Sequence, residues 1–229
     1  MTDYIVATVK PWNAEAFRRR VPALPGRWHL VESPADLTLE RLEEIAPRYV
    51  FFPHWSWKVP KEICGRFECV CFHMADVPHG RGGSPLQNLI LRGHKETKVS
   101  ALRMVEELDA GPVYLKRPLG LEGRAEDIYR RLAEVVFDMM AEIVVKEPTS
   151  VPQEGEAVVF PRRTPEQSRL PAGGGLEGLY DFIRMLDAPT YPAAFIEWGR
   201  FRMEFTRASL AGKSVEAKVM ITETEEGQT

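Results

Sequence analysis

No apolar run in this chain is long enough to cross a bilayer, and it does not open on a basic stretch followed by an apolar segment. A cytoplasmic protein with no membrane partner is the expectation. No extended lysine- and arginine-rich run appears, and the formal net charge is −3, so charge gives no general reason to expect nucleic acid as a partner. Cysteine is scarce: Cys64, Cys69 and Cys71 are an odd number crowded into one stretch, which argues against a disulfide framework. Internal repeats are absent. So are a Gly-Lys-Ser/Thr after the glycine-rich loop and a dinucleotide fingerprint after the first strand, which excludes a P-loop and a Rossmann NAD site.

What is present is a regular alternation. The spacing predicts strands over Tyr4–Val9, Trp28–Glu32 and Tyr49–Phe52, separated by helices over Trp12–Val21 and Leu37–Ile45. The third strand is apolar on both faces, as an interior parallel strand would be. A further strand, Glu68–His73, is followed by a glycine-rich loop. Then comes a helix capped by Ser84, started by Pro85, carrying Leu86, Leu89 and Ile90, and closed at Gly93. Strands over Lys98–Met104 and Val113–Lys116 and a long helix over Ala125–Val145 complete a core of 1–147. From 148 to 229 proline, glycine and polar residues lead to a short helix near Leu179–Leu186, then two alternating runs around Gly199-Arg200 that read as a hairpin. A last strand, Val215–Ile221, precedes an acidic tail expected to be disordered. The fold class is α/β: a mostly parallel sheet with helices on both faces, plus a small β-containing carboxyl-terminal appendage.

Ligands of such sheets bind at the carboxyl ends of the strands. Cys69, Cys71 and His73 alternate along one predicted strand and share a face, with His73 at its carboxyl end. Alone, His73 reads more readily as a satisfied core histidine. A zinc site from the three cysteines and His73 is disfavoured, because ligands at alternate positions of one extended strand do not converge on an ion; no metal is expected. Gly80, Gly82 and Gly83 around Arg81 suit an anion, although spacing alone shows only a flexible loop. Asp109 sits in the turn ELDAGP, where an acid usually bonds its own backbone. Beside a histidine it would fix the imidazole tautomer, as acid/base work needs.

These residues together resemble the formyltetrahydrofolate-dependent formyltransferases, a family that includes methionyl-tRNA, glycinamide ribonucleotide and nucleotide-sugar members. The likeness runs through CFHMADVPHGRGGSPLQ and RGHKETKVSALRMVEELDAGPVY. His73, Arg81-Gly82, Pro85, Thr97 to Val99 and Leu108-Asp109-Ala110-Gly111 match in order and spacing. It spans about Tyr49 to Val145 and continues more faintly through PRRTPEQSRL and the hairpin, closest in character to the sugar-modifying members. Two departures stand out. The family's asparagine falls at Cys71, a poor hydrogen-bond donor, so Gln87, Asn88 or a backbone N–H is considered as its replacement. The usual Ser-Leu-Leu-Pro is Ala75-Asp76-Val77-Pro78.

The resemblance implies a Rossmann-like core that uses 10-formyltetrahydrofolate as co-substrate and no metal. The pterin would lie between Trp55, Ser56, Trp57, Lys58 and Val59 and the turn carrying Val105, Glu107 and Leu108. His73, oriented by Asp109, would relay the proton of the attacking amine, and Gly80, Arg81, Gly82 and Gly83 would receive the acceptor. The expected acceptor is a small-molecule amine, foremost a nucleotide-linked amino sugar. Other small amines and methionyl-tRNA are the alternatives, as is a non-catalytic folate- or nucleotide-binding module. Phe195, Ile196 and Trp198 on the hairpin pack on the core or form a homodimer contact.

Overall fold

The computed structural model describes residues 1–224; the end of the acidic tail, 225–229, lies outside the described residues. In chain order the strands and helices are β1 (Asp3–Ala7), α1 (Pro11–Arg20), β2 (Arg27–Val31), α2 (Leu39–Ile45), β3 (Tyr49–Pro53), α3 (Lys61–Arg66), β4 (Cys69–His73), β5 (His79–Gly82), α4 (Pro85–Leu91), β6 (Glu96–Arg103), β7 (Val113–Gly120), α5 (Ala125–Lys146), β8 (Val158–Phe160), α6 (Leu176–Arg184), β9 (Ala194–Trp198), β10 (Phe201–Ala211) and β11 (Ser214–Glu223). The described residues form two compact units: 1–82 with 97–119 and 129–160, and 83–96 with 120–128 and the chain from 161 onward.

The first unit holds a six-stranded sheet in the order β2-β1-β3-β4-β6-β7. β2, β1, β3 and β4 are parallel, and β6 runs antiparallel to β4. Every residue of β1 and of β3 is buried, which is why their sequences read as apolar runs rather than alternating ones. The helices are set by local chemistry. Pro11 opens α1 and Arg18, Arg19 and Arg20 close it, matching the helix dipole. Thr38 caps α2 by accepting the Arg41 N–H at 3.2 Å, and left-handed Ala46 ends it. Between sheet and helices Ile5, Val31, Leu42, Val50, Phe52, Ile63 and Cys69 form one buried cluster. Each large apolar side chain there contributes about 1.5–3 kcal/mol relative to exposure.

Two expectations are revised, and α3, which carries no strong periodic signal in the sequence, is added. The glycine-rich loop after His73 is not a free loop: 79–82 form β5, paired in parallel with β8, with Gly82 opposite Phe160. Ser84 precedes α4 but does not cap it. Its backbone is left-handed at φ 47, and its Oγ accepts the Arg163 N–H at 3.0 Å.

The two units also cross the boundary drawn at 147. Residues 148–160 stay with the first through β8. Segments 83–96 and 120–128 join the second, where Gln87 Nε2 donates to Met185 O at 3.0 Å and Arg184 Nη1 donates to Leu121 O at 2.6 Å and Gly123 O at 2.8 Å. That second unit contains the antiparallel sheet β11-β10-β9, whose β9–β10 hairpin turns at Gly199-Arg200 as the sequence indicated. Phe195 is buried beneath Arg202, whose guanidinium carbon stands 3.5 Å from the ring centroid, while Trp198 is exposed.

At the start of β1, Asp3 accepts from Arg27 Nε at 2.5 Å and Nη2 at 3.0 Å and meets His29 Nε2 at 2.6 Å. Arg27 first and His29 second hold its carboxyl down at about 2 against an ordinary 3.8. Such a group stabilises the fold fully above its unfolded pKa and loses that contribution as pH falls through the folded one. Urea-unfolding midpoints of the wild type are therefore expected to drop between about pH 4 and pH 2, and Asp3→Asn to flatten that limb. Parallel curves for the two proteins would show that this carboxylate is not the source.

Candidate active site

His73 is the last residue of β4, at the carboxyl edge of the parallel strands, and its side chain is only 8% exposed. Nε2 lies 2.6 Å from the carbonyl oxygen of Gly80. A carbonyl only accepts, so Nε2 carries a hydrogen. Nδ1 faces Oδ2 of Asp109 at 3.4 Å, and the same oxygen accepts the Gly82 N–H at 2.9 Å. In the neutral ring the Nδ1 lone pair thus points at a carboxylate. Taking up a proton at Nδ1 converts that contact into a charge-assisted hydrogen bond.

The route by which Asp109 reaches His73 is indirect. Because β6 is antiparallel to β4, the turn after it begins beside the amino end of β4, where Met104 N–H donates to Cys69 O at 2.8 Å. The turn then folds back over the face that Cys71 and His73 share. Asp109 is left-handed at φ 54, a conformation Asp tolerates better than most residues. Two residues on, Gly111 passes so close to Arg103 that a Cβ would stand 1.7 Å from its carbonyl oxygen. Gly82 is equally constrained: at φ +99, a Cβ would lie 2.6 Å from Phe160 O.

Cys71, at the position of the family's asparagine, packs among Val77, Leu102 and Val113. Burial, with the charge of Asp109 adding to it, pushes its thiol well above the ordinary range. Cys71 is therefore a neutral S–H, a weak donor rather than a nucleophile. Cys64 and Cys69 sit nearby, and the Cys69 thiol is pushed up by its hydrogen bond to Cys64 and then by burial. Among the described residues no three His, Cys, Asp or Glu side chains converge as a metal site requires.

The other residues singled out in the sequence fall into distinct groups. Asn88 directs its amide to Gly83 O at 3.1 Å, Ser84 O at 3.0 Å and Pro161 O at 2.9 Å. Gln87 is bonded to Met185 O. Both side-chain amides thus have backbone partners within the second unit, which leaves neither as a ready substitute for the missing asparagine. Arg81 is not an open anion receptor: Nε and Nη2 reach Gln153 Oε1 at 3.1 and 2.9 Å, and Nη1 is 3.4 Å from Glu107.

Gln153 is the residue that sequence reasoning missed. Besides holding Arg81, its Nε2 donates to Asp109 O and Gly111 O, each at 2.8 Å. No local pattern marks it within a proline- and glycine-containing stretch.

The loop after β3 carries Trp55 and Trp57 edge to face, with ring centroids 5.5 Å apart. Trp55 packs against the same buried cluster as Met104, and an ion pair joins Lys61, at the start of α3, to Glu106 in the turn after β6. Trp57, Val105 and Leu108 are exposed, while the Trp55 indole Nε1 is buried without a hydrogen-bond partner. Apolar faces with an unused donor are a donor set that suits a planar heteroaromatic ring such as a pterin. Just before them, left-handed His54 lies tilted against Trp12 and edge-on to Tyr129, with ring centroids 5.6 and 4.9 Å away. Burial first and Lys10 second hold its imidazole down at about 3, so it stays neutral.

Comparison with known proteins bears on this arrangement. Residues 165–222 match the family described as the methionyl-tRNA formyltransferase C-terminal domain. The methionyl-tRNA formyltransferase of Thermus thermophilus is 32% identical over 148 residues, 62% of this chain and 48% of that one, so the chain spans about half the length of this relative. The methionyl-tRNA formyltransferase of Methylobacterium nodulans is 30% identical over 219 residues, covering 88% of this chain and 70% of that one. A solved structure named methionyl-tRNA formyltransferase, from Clostridium thermocellum, superposes with a TM-score of 0.95 at 46% identity, covering 97% of this chain and all of that one. On these grounds the chain belongs to the formyltransferase family of which the methionyl-tRNA formyltransferases are members.

Proposed function

We propose that the protein transfers the formyl group of 10-formyltetrahydrofolate to an amine, and that His73 and Asp109 carry the proton chemistry. The observation that supports this most directly is the single carboxylate oxygen of Asp109 set between His73 Nδ1 and the Gly82 N–H. The folate would supply an electrophilic formyl carbon. Trp55, Trp57, Val105 and Leu108 offer the apolar surfaces to hold it. The amine nitrogen adds to the formyl carbon. His73, fixed through Nε2 on the Gly80 carbonyl, receives the amine's proton at Nδ1, where the adjacent carboxylate stabilises the imidazolium. The same proton returns to the folate N10 as the N10–formyl bond breaks and tetrahydrofolate leaves. Base catalysis of this kind is worth about 10²- to 10⁴-fold. Holding amine and formyl donor together supplies much of the remainder. Cys71 faces this chemistry as a neutral thiol where the family has an amide donor.

The relatives' names support methionyl-tRNA as the acceptor. A second reading, the amino group of a nucleotide-linked sugar, is favoured by the net charge of −3. A protein that engages the tRNA backbone draws much of its affinity from a basic surface.

Three outcomes are expected. Incubation with 10-formyltetrahydrofolate and either methionyl-tRNA or a panel of nucleotide-linked amino sugars, followed by mass spectrometry, should show one acceptor heavier by one formyl group. Folate binding with no transfer to any amine would favour the binding-module reading. His73→Ala should lower kcat by about 10²- to 10⁴-fold with little change in folate affinity. An unaffected kcat would remove His73 from the reaction. Cys71→Asn should raise kcat by at least about tenfold, since one preorganised donor is commonly worth about 10²- to 10³-fold. No gain would show that oxyanion stabilisation does not depend on this position.

A further inference from the structure

Gln153 joins two groups that the sequence treats separately. Its Oε1 accepts from Nε and Nη2 of Arg81 at 3.1 and 2.9 Å. Its Nε2 donates to Asp109 O and Gly111 O, both at 2.8 Å. All four bonds of this one amide therefore fall on the glycine strand β5 and on the Asp109 turn. The segment that carries it is itself anchored. Val151 and Val113 exchange backbone hydrogen bonds, with Val113 N–H on Val151 O at 2.7 Å and Val151 N–H on Val113 O at 2.9 Å.

The turn needs such a hold. Asp109 adopts φ 54, and residues in sparsely populated regions persist only when their surroundings over-determine them. From that conformation the Asp109 carboxylate accepts the Gly82 N–H at 2.9 Å and stands 3.4 Å from His73 Nδ1. Its backbone oxygen has Gln153 as its side-chain donor, one residue's span from the functional carboxylate.

We infer that Gln153 is a positioning residue for the proposed formyl transfer: it fixes the Asp109 turn so that the carboxylate bridges Gly82 and His73, and it turns the Arg81 guanidinium inward. This rests on the proposed reaction only for its kinetic consequence; the geometric part stands without it. Gln153 has no contact with the reacting atoms and acts through Asp109.

The two halves of the amide separate cleanly. Gln153→Glu keeps an acceptor for Arg81 and loses both donors to the turn. Gln153→Met loses both halves with similar bulk. The first readout is hydrogen exchange at the Gly82 amide in the full chain, together with the thermal midpoint of each variant. Exchange at Gly82 is expected to be at least tenfold faster in both variants than in the wild type, by more than any change in globally protected sheet amides. Unchanged Gly82 protection in both variants, or a loss matched across the whole sheet, would overturn the inference.

The second readout is kinetic, using whichever acceptor the wild type formylates. Gln153→Glu should lower kcat by about ten- to a hundredfold while the folate KM stays within about twofold. In an Asp109→Asn background the same change should have almost no further effect on kcat, because residues that act as a unit are not additive. Full additivity, or a loss confined to KM, would overturn positioning through Asp109. A wild type that transfers no formyl group would count against the proposed reaction, and the Gly82 exchange result would then decide the Gln153 assignment alone.

Discussion

One oxygen atom, Oδ2 of Asp109, organises the candidate site. It accepts the Gly82 N–H from β5 and faces His73 Nδ1 from β4, so three separate stretches of chain meet at a point. The constraint is demanding because both side chains are nearly enclosed, His73 at 8% and Asp109 at 10% exposure. The Gly82 N–H is part-buried, and a backbone donor shut away from water without a partner costs up to about 1–3 kcal/mol. Removing this carboxylate oxygen would therefore disturb the strand as well as the ring. The Gly80 carbonyl on Nε2 completes the arrangement by deciding which nitrogen of His73 carries a hydrogen at rest.

Everything around that atom serves to place it. β5 pairs in parallel with β8, with a break in register between His79 and Arg81, and Gly82 can follow that path only because it lacks a Cβ. The turn after β6 is drawn tight where Gly111 passes under the Arg103 carbonyl, and Gln153 takes up the carbonyls of Asp109 and Gly111. Arg81 is turned onto Gln153 by the same contact. The charged groups thus form a connected framework in which a guanidinium stabilises geometry rather than waiting for an anionic ligand.

Cys71 gives the site its individual character. It shares the sheet face with His73, and its burial beside Asp109 keeps the thiol protonated. An amide at that position would offer a strong donor toward developing negative charge, whereas a thiol offers a weak one. Gln87 and Asn88 have backbone carbonyl partners in the second unit, so neither amide is turned to this position in compensation.

The sequence by itself determined the parts that depend on neighbours along the chain. The apolar runs of β1 and β3, the presence of α1 and α2 between the first strands, the hairpin at Gly199-Arg200 and the position of His73 at a strand end all follow from local pattern. The helix starts at Pro11 and Leu39 lie a residue or two away from the periodic segments. The spacing from His73 through Arg81-Gly82 to Leu108-Asp109 carried the family resemblance for the same reason. Tertiary structure decided what depends on pairing between distant segments. That β5 is a strand follows only from β8, which has no strong signal of its own. That Asp109 meets His73 follows from the antiparallel direction of β6 and the fold-back of its turn, which no local period encodes. That Gln153 grips the turn, and that Arg81 faces inward, required the 151–153 segment to return beside β7. Local propensity acts over a few residues, whereas these contacts form only once the sheet has closed loops of many residues, so side chains far apart in sequence became one site.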